Sequence, residues 1–219
     1  PPHLSSAASD VYKRQILVVN RDIFLRSFML EIIFVSFLMT SGKFGDVELA
    51  ATQILLQFLH ISAYGMDGFA FAAEVLVGQA VGKSNRSMLR DAVVKSGVWT
   101  FTIAVFMAVT YAFLGGFFIE IMTTSNEVRL VSENFLIFIV LGPIFGALPF
   151  LMDGIFVGAT RSVDMRNMMF LSLIIYALSA YIFIDLYGFY GRWVALLVSY
   201  AARGISLLTK YPRLESSII

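Results

Sequence analysis

The 219-residue chain has no cysteine, five prolines, two histidines and little charge, with 14% of its residues Asp, Glu, Lys or Arg. The missing cysteines exclude a disulfide framework, thiolate metal sites and a cysteine nucleophile together. Charge at this level is well below the roughly 25% of an ordinary soluble domain. A net charge of +1 also supplies no polyelectrolyte field for nucleic acid. Enzyme signatures are missing as well: there is no GxSxG elbow, no HExxH and no glycine-rich phosphate loop, and His3 and His60 are the only histidines. A paired-aspartate hydrolase using Asp67 and Asp153 is compatible with the spacing. Two such acids serve ion coupling equally well, however, and nothing else marks a scissile-bond site. The expectation is a protein without enzymatic activity, resident metal or organic cofactor.

What is abundant is apolar surface. Apolar residues make up 58% of the chain, including 21 Phe, and the mean hydropathy is +0.81. One soluble core cannot hide that surplus, so much of it faces lipid. Six apolar segments of spanning length follow one another: 22–42, 47–82, 92–119, 128–160, 167–187 and 191–210. Short breaks separate them, such as SGKFGD and ATRSVDMR, and connections this short make neighbouring helices antiparallel. A β-barrel would show roughly 10-residue alternating segments, whereas Ser96 to Ile119 runs without a single charge. The predicted class is an all-α membrane protein with six transmembrane helices over residues 20–213 and a tail at 214–219. The opening PPHLSSAASDVYKRQ resembles translated adapter sequence, so residues 1–19 read as a non-native leader or the remnant of a preceding segment. Thirteen of the sixteen Lys and Arg fall on one side of this topology, with Lys43, Arg129 and Arg192 opposite. The positive-inside rule then puts both ends in the cytoplasm, the protein being multi-pass in a cell inner (plasma) membrane.

Ionisable groups inside a span cost roughly 2.5–3.5 kcal/mol each on insertion scales and usually face a bundle interior or wet cavity. Asp67, Asp153, Glu31 and Glu74 are such groups and are the candidate ion-coupling residues. In the second span Gln53, His60, Asp67 and Glu74 recur every seven residues, with Gln57 and Tyr64 offset by four. Seven residues are nearly two helical turns, so the six side chains form one polar stripe. That stripe either lines a cavity, with Gln53, Gln57, His60 and Tyr64 as its walls, or hydrogen-bonds to neighbouring helices. Local ion pairs are the structural alternatives for the acids: Asp153 with Arg161, Glu74 with Arg161 or Arg166, and Glu31 with Arg26. Gly65 and Gly68 flank Asp67, and Pro143, Pro149 and Gly154 surround Asp153, which makes these five the candidate helix breaks or hinges. The second segment either projects beyond the membrane as a straight helix or is unwound at its glycines. Lys83 to Asp91 could form a surface helix with Met88 and Leu89 turned inward.

Three stretches carry a family resemblance: NRDIFLRSFMLE at 20–31, AYGMDGFAFAAEVLVGQAVG at 63–82 and LMDGIFVGATRSVDMRN at 151–167. In order and spacing they resemble the DinF-like branch of the multidrug and toxic compound extrusion (MATE) transporters. The resemblance spans residues 20–213 and corresponds to the C-terminal six-helix lobe of a twelve-helix protein. It implies a missing N-terminal lobe as partner, a cavity between lobes and alternating access driven by H+ or Na+ as the coupling ion. It also implies amphipathic, often cationic small-molecule substrates, alongside membrane lipid. In a sister branch a Glu and an Asp act in the counterparts of the first and fourth spans, but Glu31 and Asp153 sit about one turn from those positions. The function read from the chain is half of a proton- or sodium-coupled multidrug efflux antiporter. Two alternatives stand beside it. One is a lipid-linked oligosaccharide flippase of the same superfamily, disfavoured because its cavity is expected to be more cationic while the basic residues here mostly cluster at the cytoplasmic edge. The other is a non-transporting membrane fragment.

Overall fold

The computed structural model describes the backbone of residues 2–218 and the side chains of Leu17 and residues 19–218. The leader reading of residues 1–15 concerns side chains outside that set. The element order is α1 (Pro2–Ser41), α2 (Asp46–Gly82), α3 (Arg86–Met122), α4 (Asn126–Asn134), α5 (Leu136–Gly158), α6 (Ser162–Tyr187), α7 (Phe189–Leu208) and α8 (Tyr211–Ser216). No strand occurs among the described residues. Val19–Ser41 of α1, together with α3, α5 and α6, is long and apolar enough to cross a membrane. The 37-residue α2 and 20-residue α7 reach spanning length but carry polar side chains in their interiors.

Helix ends follow local chemistry. Asn85 caps α3 by accepting the amide hydrogen of Met88 at 2.9 Å. The α6–α7 turn passes through Gly188 at φ +58, a left-handed conformation that suits glycine. α2 and α5 end alike: Asn85 N donates to Ala80 O with Ser84 N to Val81 O, and Arg161 N donates to Phe156 O with Thr160 N to Val157 O. Both are Schellman motifs, with Ser84 (φ 48) and Thr160 (φ 56) where glycine usually sits.

α5 is the central helix. Half of its spanning window is buried, against 17% for α1 and α6, and it packs on α2, α3 and α7. Its glycines at 142, 146, 154 and 158 recur at four-residue multiples and face α2, meeting Leu59, Met66, the Ala70 backbone and the Glu74 backbone in turn. Such small-residue stripes let membrane helices approach closely where lipid offers no hydrophobic drive to association. α6 and α7 pair as a hairpin and α1 lies on α6. Large apolar side chains such as Phe106, Phe113 and Phe117 point outward from α3, as a lipid-facing surface requires.

The structure refines the sequence reading at several places. The fourth segment is two helices, because Asn126, Glu127, Arg129, Glu133 and Asn134 make α4 too polar to continue a span; it ends at Phe135, whose amide turns back to Ser132 O. Of the two alternatives open for the second segment α2 takes the continuous helix, unbroken through Gly65 and Gly68, and α5 stays helical through Pro143 and Pro149. Residues from Arg86 on belong to α3 itself, with Leu89 fully buried. The tail is docked as well: α8 buries Leu214, and Arg90 pairs with the Glu215 carboxylate while Arg86 donates to its carbonyl at 3.0 Å.

Candidate functional site: a charged cavity among four helices

The unbroken α2 keeps the six polar residues on one face, which its neighbours leave largely open. Gln53, Gln57 and Tyr64 are exposed, and His60, Asp67 and Glu74 are half-buried. His60 and Asp67 belong to the wall of a cavity of about 290 Å3 that also takes in Arg26 and Glu31 of α1 and Tyr200 and Arg203 of α7. Leu30, Phe34, Leu59 and Phe150 form its apolar side. Gln53, Gln57, Tyr64 and Glu74 lie outside it.

Asp153 stands behind this wall, buried, with carboxylate oxygen Oδ2 accepting from Arg26 Nη2 and lying 3.5 Å from Arg203 Nη2. One carboxylate from the central helix thus ties α1 to α7. Arg203 is 3% exposed, its guanidinium lies 5.5 Å from the Phe150 ring centroid, and its Nε has no hydrogen-bond partner. Burying such charges is costly unless they are paired, and here two guanidiniums share one acid. Asp67 differs: among the described residues no cation lies within ion-pair distance of it, and the charges acting on it are those of Arg26, Asp153 and Arg203.

The local ion pairs considered from spacing do not form. Asp153 is held by Arg26 and Arg203, not Arg161; Arg26 turns to Asp153 and not to Glu31; and Arg166 pairs with Asp22 and not with Glu74. The reason is geometric: a helix neighbour eight residues away is two turns off, whereas tightly packed helices bring side chains from other elements into direct contact. The expectation that basic residues sit at the cytoplasmic edge also gives way, since Arg26 and Arg203 reach the interior. Both belong to the thirteen basic residues that set the topology in the sequence. Their position within spanning segments was the signal, because an ionisable residue in a span is functional by default.

Two further charged groups are buried, neither of which the sequence marks as such. Asp22 is fully buried and accepts from Arg166 Nη1 at 2.7 Å, with Arg21 at 3.2 Å and Ser162 Oγ at 3.5 Å. Arg192 is fully buried at the opposite end, donating to Phe37 O at 3.0 Å and Thr52 Oγ1 at 2.9 Å. Of the candidate hinges, Gly154 and Gly65 are contact points, against the Ala70 backbone and Met107, while a Cβ on Gly68 would meet nothing within 4 Å. Pro143 and Pro149 are buried in α5. The aromatic residues divide: Tyr111 and Trp193 are buried in the core and Trp99, Tyr187 and Tyr190 are exposed. Among the described residues no group of three or more His, Asp or Glu side chains could hold a metal. A second cavity, of about 320 Å3 between α2 and α3, is lined by side chains such as Phe58, Phe106 and Met107 and carries no charge.

Residues 23–182 match the MatE family profile. The chain belongs to the MatE family. It is 34% identical over 204 residues, 91% of its length, to DNA damage-inducible protein F of Escherichia coli K12. In fold it is similar to the MATE transporter VcmN of Vibrio cholerae in the bent form, with TM-score 0.80 at 16% identity over 90% of the chain. It is also similar to a MOP superfamily transporter from Pyrococcus furiosus, with TM-score 0.82 at 14% identity over 94% of the chain. At those identities the structural likeness is one of fold. The chain spans 43% of the E. coli relative and 45–46% of the two transporters. The eight helices are therefore one lobe of the MatE architecture in a multi-pass membrane protein.

Proposed function

We propose that the chain is the C-terminal lobe of an ion-coupled efflux antiporter that works by alternating access with an N-terminal lobe, both ends of the chain lying in the cytoplasm. The observation that carries this reading is Asp67, a carboxylate that has no paired cation among the described residues, on the wall of a charged cavity in a membrane lobe. Asp153 is committed to two arginines, Arg26 and Arg203, and is not free to take another partner. It serves as the fixed counter-ion that keeps Arg26 and Arg203 in place. Asp67 is the acid free to exchange its partner: ionised, it attracts a basic group on an amphipathic substrate, and protonated, it releases that group. The proton shifts the inward–outward balance only by its difference in affinity for the two states. A sodium ion needs several oxygen ligands at once, and the described cavity wall supplies few oxygen donors, whereas a proton needs one carboxylate oxygen, so the coupling ion is H+ rather than Na+. Glu31 and His60 line the same cavity beside Asp67, and no covalent chemistry is involved.

The test is gradient-driven export of amphipathic dyes by the complete protein in proteoliposomes, comparing wild type with Asp67→Asn. Export driven by a pH gradient and lost in the variant supports the reading. Full export by the variant, or export driven by a sodium gradient alone, sinks it.

A further inference from the structure

The cavity that holds Asp67 presents both signs of charge with binding capacity unspent. On the acidic side Asp67 has no paired cation among the described residues. On the basic side the buried Arg203 leaves Nε without a partner and has one carboxylate contact, at 3.5 Å, for a group with five donors. Arg26 points a second guanidinium at the same Asp153 oxygen from α1. The opposing wall, with Leu30, Phe34, Leu59 and Phe150, is apolar. An unsatisfied buried donor in such a setting costs free energy that a ligand oxygen would recover. A purely cationic substrate would leave that donor unmet and would face two arginines. A purely anionic one would face Asp67 and Glu31, and protonating Asp67 would tighten its binding when an antiporter must release it.

Resting on the antiport reading above, we propose that this cavity takes an amphipathic zwitterion, its acidic group held by Arg203 with Arg26 and its basic group facing Asp67. Proton binding at Asp67 then competes with the basic group alone, while the arginine contact sets which molecules are admitted. The aromatic and aliphatic wall takes the hydrocarbon body. Arg203 is thus a specificity-determining residue.

Three xanthene dyes of nearly one shape separate the possibilities: rhodamine 110 carries a carboxylate and a delocalised cation, rhodamine 123 is its methyl ester and keeps only the cation, and fluorescein is anionic. Equilibrium binding is measured to the complete protein in lipid nanodiscs, with empty nanodiscs subtracted and no gradient applied. A hydrogen-bonded charge contact is worth enough for rhodamine 110 to bind at least about tenfold more tightly than its ester and than fluorescein. Arg203→Gln brings the acid-to-ester ratio toward one, and Arg203→Lys restores part of it. Equal binding of acid and ester by the wild type overturns the proposal without any variant, as does an unchanged ratio in a folded Arg203→Gln protein. The two readings fail separately: a tenfold ratio with no gradient-driven export removes the antiport role but keeps the zwitterion site. Proton-driven export of the ester with a ratio near one does the reverse.

Discussion

Gly154 of α5 lies against Ala70 of α2 so closely that a Cβ on the glycine would overlap the Ala70 carbonyl oxygen. The obstacle is backbone, which cannot swing aside as a flexible side chain can. Gly154→Ala therefore forces α2 and α5 apart and destabilises the lobe by about 1–3 kcal/mol, the usual cost of overpacking. Gly68, the residue next to Asp67 in the chain, has nothing within 4 Å of its missing Cβ. Gly68→Ala is tolerated and gains roughly 0.5–1 kcal/mol from the helix interior. Melting temperatures of the two variants in one detergent should move in opposite directions, and a parallel shift would contradict the contact geometry.

Arg192 joins three helices near the end opposite Asp22. Its Nη1 donates to a carbonyl in the last turn of α1, Nη2 to the Thr52 hydroxyl in α2, and its guanidinium lies 4.4 Å from the Phe37 ring centroid and 4.3 Å from that of Phe189. Planarity matters here because the cation lies near two rings while its edge makes two directed hydrogen bonds. Arg192→Lys keeps the charge but loses the fork, so it should restore less than half of the melting-temperature loss seen in Arg192→Met. A lysine variant as stable as wild type would show that charge alone suffices.

The parts of this fold legible in the sequence are those that depend on one helix at a time. Spanning length, the polar face of α2 and the presence of acids within spans all follow from periodicity and hydropathy along a single segment. The partners of those acids are set by which helices touch, and that depends on the glycine stripe of α5, whose residues read equally well as hinges. For Asp153 the sequence therefore offers a chain neighbour, Arg161, as the structural alternative, while Arg26 lies 127 residues away from it. Arg203 was missed for a related reason: a tally of basic residues by side treats a buried arginine as a loop charge. The α4–α5 break escaped notice because Phe135 and Phe138 continue the apolar pattern across it.

Asp22 and Arg166 form the corresponding tie on the α1–α6 side, and the aspartate is fully buried. Removing one partner of a buried pair strands the other charge, at a cost of about 3–5 kcal/mol, whereas removing both restores part of it. Arg166 keeps some exposure, so stranding falls mainly on the acid. Arg166→Met should lower the melting temperature more than Asp22→Asn, and the double variant should lie above Arg166→Met. Strictly additive losses would mean that the two residues act independently.

Thr160 holds a conformation that its side chain opposes. It is β-branched, sits at φ +56 and closes the Schellman motif at the end of α5. A left-handed residue of this kind costs roughly 1–2 kcal/mol relative to glycine, and among the described residues its hydroxyl bonds only to the neighbouring Ala159 carbonyl, at 2.8 Å. Thr160→Gly removes the strain and leaves the two backbone bonds of the cap in place. Part of the gain is offset because glycine also loosens the unfolded chain. The net expectation is a rise in melting temperature with unchanged dye binding, since Thr160 lies at the helix end and outside the Asp67 cavity. A fall in melting temperature would show that the hydroxyl contributes more to the cap than the backbone angle costs.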